Sequence, residues 1–207
     1  ARDGTGSSNS MADSVVDEIP AAGGQAAATY GSVTDDDAAK AMVQCAVDNF
    51  GRLDILINNA GILRDRSFKN MTDAEWDAVI DVHLRGSYLA TKHAWQQMLA
   101  QGEGGRIIMT SSTSGLIGNF GQANYGAAKA GVAGFMRVLA LEGMKYGITV
   151  NVLAPAALSR MTEDLMPDSE DVAVRMAPEK VSPTVAWLCT DAASNVTGRQ
   201  FCVSGNR

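Results

Sequence analysis

The feature that most constrains this chain is an alternation. Short apolar runs at residues 54–58, 106–110, 148–153 and 199–203 are separated by stretches with helical periodicity. The first run, Asp54-Ile55-Leu56-Ile57-Asn58, has the continuous apolar centre of a parallel strand covered on both faces. Before it, residues 1–9 read as loop and residues 10–22 as a helix, with Val15, Val16 and Ile19 at helical spacing and Gly23-Gly24 as its stop. Residues 25–30 are a short strand candidate. Residues 34–49 read as a helix with Thr34 as N-cap and Asp35, Asp36 and Asp37 in the first turn, where acidic groups suit the helix dipole. Thr72, with Glu75 at the capping-box position, opens a long helical region reaching about residue 99. An Ala-rich helix is predicted over 124–146. Another starts at Ser182-Pro183, with Ser as N-cap and Pro at the first helical position. This order predicts an α/β fold, a doubly wound parallel sheet in one domain spanning 1–207. The periodicity says nothing of function.

Composition narrows the partners. A net charge of −6 disfavours nucleic acid and anionic membranes, since both call for a basic field. A local basic patch for an anionic substrate stays open. No apolar run is long enough to span a bilayer, and residues 1–10 are polar and Gly/Ser-rich. Cys45, Cys189 and Cys202 are odd in number and widely spaced, forming neither a disulfide framework nor a metal-ligand pattern. They are expected as buried or helical thiols in a reducing cytoplasm, with no metal site.

The chemistry is expected in Tyr125-Gly126-Ala127-Ala128-Lys129. On a helix, Tyr and Lys four apart share a face, about 6 Å from each other along the axis. A phenol with its ordinary pKa near 10 is a poor acid–base group at neutral pH, and a neighbouring ammonium favours the phenolate. The pair then suits proton exchange with an alcohol or carbonyl oxygen. By itself it also fits a surface pair. Ser112 lies 13 residues ahead of Tyr125, just past the run 106–110. In an open parallel sheet ligands sit beyond the carboxyl ends of strands, so Ser112 is placed to bond the same substrate oxygen. Asn58-Asn59-Ala60-Gly61 ends another strand on that edge, with small residues that let a flat ligand approach the backbone.

Four ordered stretches resemble the short-chain dehydrogenase/reductase family: residues 54–61 (Asp-Ile-Leu-Ile-Asn-Asn-Ala-Gly), residues 106–112 (Arg-Ile-Ile-Met-Thr-Ser-Ser), residues 125–129, and residues 150–155 (Val-Asn-Val-Leu-Ala-Pro). The resemblance covers about residues 10–204. It implies a Rossmann-type fold and an oxidoreductase that moves hydride between a secondary alcohol or ketone and NAD or NADP. Tyr125 would be the acid/base. Lys129 would lower its pKa and hold the nicotinamide ribose, and Ser112 would polarise the substrate carbonyl. The implied cofactor contacts are Ser32 and Val33 at the adenine, then Asn59, Ala60, Gly61, Thr110, Tyr125 and Lys129, with Pro155, Ala157, Ser159 and Arg160 over the nicotinamide.

Finer detail points to one branch. Residues 59–68, 82–87 (Val-His-Leu-Arg-Gly-Ser) and 118–125 (Gly-Asn-Phe-Gly-Gln-Ala-Asn-Tyr) look like the (3R)-hydroxyacyl-CoA dehydrogenase module of multifunctional β-oxidation enzymes, which favours NAD and a 3-hydroxyacyl/3-oxoacyl thioester. A ketoreductase of secondary metabolism is the alternative. The resemblance also departs in places. His83 stands where the family usually has an Asn that helps hold a water of the proton relay; His can donate and accept, or can simply be a packing histidine. Pro155-Ala156-Ala157 replaces a Pro-Gly. The glycine-rich phosphate loop has no counterpart here, so a β-α-β segment of roughly 30 or more residues is expected ahead of Ala1, and an early stop at the C-terminus. Were the loop truly missing, a non-catalytic scaffold would follow. Residues 159–180 should form a mobile substrate lid. The helices 72–99 and 124–146, the second carrying Ala127, Ala128, Ala130, Ala133 and Gly134, are expected to build a homodimer or homotetramer.

Overall fold

In the computed structural model, residues 9–158 and 169–205 are described. Four parallel strands lie in the order of the chain: β1 (Ile55–Asn58), β2 (Gly105–Thr110), β3 (Ile148–Ala156) and β4 (Gln200–Ser204). Their register runs Leu56 beside Ile107, Ile107 beside Val150, and Leu153 beside Phe201. The helices are α1 (Ser10–Ala21), α2 (Asp36–Phe50), α3 (Asp73–Ile80), α4 (Gly86–Gln101), α5 (Thr113–Leu116), α6 (Ala123–Gly143), α7 (Glu170–Arg175) and α8 (Ser182–Leu188).

Alternation along the strands sorts the core into two layers. Ile107, Met109, Val150 and Val152 pack with Ala94 and Met98 of α4 and with Val132 and Met136 of α6. Ile108 and Leu153 face the other way, against Leu188 of α8 and Val203. Helices therefore cover both faces of β2 and β3, as a doubly wound sheet requires. At β1 only Leu56 is buried, while Ile55 and Ile57 are exposed on a face uncovered by any described residue. The expectation of two covered faces fails there.

The local signals fare unevenly. Thr72 and Glu75 form the capping box at the start of α3. Two bonds close α1, from the Gly23 and Gly24 amides to the Pro20 and Ile19 carbonyls. The N-cap of α2 is Asp35, not Thr34, because its side chain accepts from the Ala38 amide at 2.8 Å. Ser182 is the first residue of α8 and caps nothing with its side chain; Pro183 starts the helix unaided. The region 72–99 is α3 and α4 joined by one π-helical turn, Asp81–Arg85. Residues 25–30 form no strand, since no described strand lies beside them to share a ladder. Cys45 and Cys189 are half-buried on or next to helices, but Cys202 is exposed, because the alternation of β4 turns Val203 inward and Cys202 out. Among the described residues no helix is long and apolar enough to cross a membrane.

Candidate active site

Three elements bring Ser112, Tyr125 and Lys129 to the carboxyl edge of the sheet. Ser112 is the N-cap of α5, directly after β2, and its Oγ accepts from the Ser114 amide. Tyr125 lies in the first turn of α6 and Lys129 one turn further on. Gly115 lets α5 close on α6, since a Cβ there would sit 2.7 Å from the Lys129 side chain and backbone. The Ser111 hydroxyl donates to the Lys129 carbonyl at 2.8 Å, tying the two elements together. Ser112 stands close enough to the Tyr125 phenol to act on its pKa, and Lys129 Nζ lies 5.5 Å from the centre of the Tyr125 ring.

The start of α6 is held by a residue the sequence did not single out. Asn124 is fully buried; its amide donates to the carbonyls of Arg64 and Glu75, and its Oδ1 accepts from the Tyr125 amide at 2.7 Å. Gln122 is likewise buried, bonded to Ser114, Asn119 and Asp65. Two polar residues just ahead of Tyr125, where the helix otherwise turns apolar, were the available signal.

Electrostatics at the site follow from burial. Lys129 is 3 % exposed, and desolvation pushes its ammonium down to about 7; its Nζ donates to the Thr110 carbonyl at 2.6 Å. Tyr125 does not show the lowered pKa expected from its lysine. Burial raises it, against the bond from Ser112, and the Asp65 carboxylate raises it further. Desolvation by burial outweighs the lowering effect of Ser112, and Lys129 Nζ is bonded to the Thr110 carbonyl and not to the phenol.

His83 occupies the π-helical turn and is 2 % exposed. Its ring meets that of Tyr125 edge-on with centroids 5.0 Å apart. Nε2 lies 2.8 Å from the Ile62 carbonyl, the shorter of its contacts, which assigns the proton to Nε2. Nδ1 is then a buried acceptor with no partner. Burial first, and the Lys129 charge second, push the imidazole down to about 4, so it is neutral at physiological pH. Packing and a polar role are thus combined in one side chain.

A groove of about 150 Å³ runs from Val33 past Asn58, Asn59 and Ala60 to Gly86 and Ser87. A Cβ on Gly86 would lie 2.8 Å from Val33 Cγ2, so that glycine is what lets Val33 form the groove wall. Asn59 is linked to the end of β2 by a bond from Thr110 Oγ1 at 3.2 Å. Pro155 and Ala157 are half-buried at and beyond the end of β3. Gly61 turns toward the His83 ring, where a Cβ would stand 2.5 Å from Cε1. Ser32 is exposed and lines a smaller hollow beside Val33. Ser159 and Arg160 lie outside the described residues, as does much of the expected lid; its described part carries the short helix α7. The small walls of this groove suit the approach of a flat ligand such as part of a nicotinamide dinucleotide, which Val33, Asn59 and Ala60 would line; Lys129 and Tyr125 would hold its reactive end.

A parallel sheet with a Ser–Tyr–Lys cluster beyond its carboxyl edge is the arrangement of a nicotinamide-dependent dehydrogenase of the doubly wound class. Residues 5–171 match the family model described as short chain dehydrogenase. The chain belongs to that family, whose members are dehydrogenases and reductases that use NAD(P). It is 52 % identical to the peroxisomal hydratase-dehydrogenase-epimerase of Neurospora crassa over 98 % of this chain and 22 % of that protein. It is 43 % identical to the 3-oxoacyl-[acyl-carrier-protein] reductase of Synechocystis over 96 % of this chain and 82 % of that protein. A crystal structure of a short chain dehydrogenase from Mycobacterium avium superposes with a TM-score of 0.88 at 48 % identity, covering 99 % of this chain and 70 % of that one. The chain thus spans about a fifth of the length of the multifunctional Neurospora relative.

Proposed function

We propose that the protein interconverts 3-hydroxyacyl and 3-oxoacyl thioesters, with NAD favoured over NADP. The observation that carries it is the grouping of Ser112, Tyr125 and Lys129 beyond the carboxyl edge of the sheet. The named activities of the Neurospora and Synechocystis relatives support the thioester class. When bound, the nicotinamide supplies or takes up the hydride. Ser112 donates a hydrogen bond to the substrate carbonyl and holds it beside Tyr125. Tyr125 gives its proton to that oxygen in reduction and takes it back in oxidation. A raised phenol pKa keeps the proton on Tyr125 at neutral pH, which suits reduction; the oxidation rate should climb with pH. Lys129 orders the Thr110 carbonyl and holds the cofactor ribose. Turnover of 3-oxoacyl thioesters, followed by nicotinamide absorbance beside a panel of polyketide-like ketones, tests this. No turnover of any acyl thioester would sink it in favour of the secondary-metabolism ketoreductase.

The reading includes a homodimer or homotetramer. Val138 and Leu141 of α6, with Tyr88 and Leu99 of α4, leave large apolar groups exposed. Of the small residues on α6, Ala128 and Ala133 are buried inside the subunit, whereas Ala127 and Ala130 face outward. A light-scattering mass of one subunit at micromolar concentration would refute it. A reducing compartment, the cytoplasm in our reading, agrees with the three unpaired cysteines.

A further inference from the structure

The hydroxyl of Ser112 is aimed from outside the Ser–Tyr–Lys cluster. Its Oγ accepts from the Ser114 amide at 3.2 Å. A hydroxyl has one proton and two lone pairs. With one lone pair engaged inside the first turn of α5, the proton is left to point out of that turn. Its direction then depends on how firmly Ser114 is held.

Ser114 is held by residues at the start of α6. Its hydroxyl donates to Gln122 Oε1 at 2.7 Å. Its carbonyl lies against Gly126, the residue after Tyr125, where a Cβ would stand 3.1 Å away. Gln122 is 6 % exposed, and its carbonyl accepts from the Gly126 amide at 2.7 Å. The Gln122 side-chain amide has one workable orientation. Oε1 also accepts from Asn119 Nδ2 at 3.2 Å, and Nε2 donates to Asp65 Oδ2 at 2.8 Å. A carboxylate only accepts and an amide nitrogen only donates, so a flipped Gln122 would set acceptor against Asp65 and donor against Asn119. A chain of hydrogen bonds of fixed direction therefore runs from Asp65 through Gln122 and Ser114 to Ser112.

We propose that Gln122 is a positioning residue for Ser112: through Ser114 it fixes the side on which the Ser112 hydroxyl accepts, and so turns the hydroxyl proton toward the substrate oxygen. This deepens the thioester reading and rests on the role given there to Ser112. One neutral hydrogen bond corresponds to about a 2- to 10-fold effect on a rate.

The test uses the full-length protein and the N-acetylcysteamine thioester of 3-oxobutyrate. Q122M keeps the side chain's length and removes its polar atoms. Its kcat should fall by about 2- to 10-fold, while the Kd for NAD by fluorescence titration stays at the wild-type value. S114A removes only the hydroxyl that Gln122 holds, and should lose a similar factor. The double variant Q122M/S114A should lose no more than the larger single loss, and Q122M placed in S112A should lose nothing further, because the serine it positions is gone. A Gln122 that merely packs the loops would instead multiply its effect with that of S112A. A readout free of substrate is hydrogen exchange of the Ser114 amide, which should quicken by about 2- to 10-fold in Q122M. If wild type reduces no thioester, the thioester reading falls, and the exchange rate still decides whether Gln122 holds Ser114 on Ser112. A Q122M loss that multiplies with S112A, an S114A protein with wild-type kcat, or a Ser114 amide exchanging equally fast in wild type and Q122M overturns the proposal.

Discussion

Replacing Lys129 with Met should make the protein more stable and inactive. The ammonium is almost entirely buried, with one bond to the Thr110 carbonyl at 2.6 Å, and desolvation pushes it from 10.5 down to about 7. At about 1.4 kcal/mol per pH unit, keeping that charge in place costs on the order of 4–5 kcal/mol below neutral pH. Met is apolar and similar in length. It gives up the bond to Thr110, which costs roughly 1–3 kcal/mol for the carbonyl left behind. The variant should gain about 1–4 kcal/mol at pH 6. The sign has a definite window. The folded pKa lies below the unfolded one, so between about pH 7 and 10.5 the unfolded chain holds the extra proton. Wild-type stability therefore rises with pH across that range, and the advantage of Met shrinks. Urea unfolding of both proteins at pH 6 and pH 9 measures it. A Met variant less stable than wild type at pH 6, or a gap that ignores pH, would refute the reasoning.

Three other outcomes are expected. Burial and the Lys129 charge hold His83 at about 4 against 6.5, so stability should drop by on the order of 3 kcal/mol as pH falls through that interval. In His83→Asn, thermal melts between pH 7 and pH 4.5 should show that part of the loss gone; an identical loss in both proteins contradicts it. Gly86→Ala forces a Cβ to 2.8 Å from Val33 Cγ2, so fluorescence titration should show cofactor affinity reduced about tenfold or more. An unchanged Kd would remove Val33 from the cofactor wall. Asn124→Ala strips partners from the Arg64 and Glu75 carbonyls and the Tyr125 amide, and should cost about 3 kcal/mol in denaturant unfolding; a loss under about 1 kcal/mol would mean water replaces it.

Much of the fold was legible because β2, β3 and β4 and the helices between them carry strong, uninterrupted patterns. The misses share a cause. Residues 25–30 have strand composition, but a strand exists only through its neighbour, and composition cannot supply one. Ile55 and Ile57 read as buried for the same reason: what covers a face is a tertiary fact. Thr34 and Asp35 are both good caps, and the choice turned on which side chain reaches the Ala38 amide. At the site, Ser112, Tyr125 and Lys129 were picked out by spacing together with the family resemblance, and the fold brings them to one edge of the sheet. The lowered phenol pKa was not borne out, because spacing places Lys129 on the same face as Tyr125 without saying where its proton points. Asn124 and Gln122 act through loops about 60 residues away, contacts that no local pattern encodes.

Tyr125→Phe tests the account most directly. The substitution keeps the ring against His83 and the apolar contacts of Ile62, Val79 and Ala128, and removes only the hydroxyl. A positioned proton donor is worth roughly 10²–10⁴-fold in rate. Turnover of a 3-oxoacyl thioester should fall by that factor while cofactor affinity stays near wild type. A folded, cofactor-competent Tyr125→Phe protein that keeps more than about a tenth of wild-type turnover would take Tyr125 out of the chemistry, and the account with it.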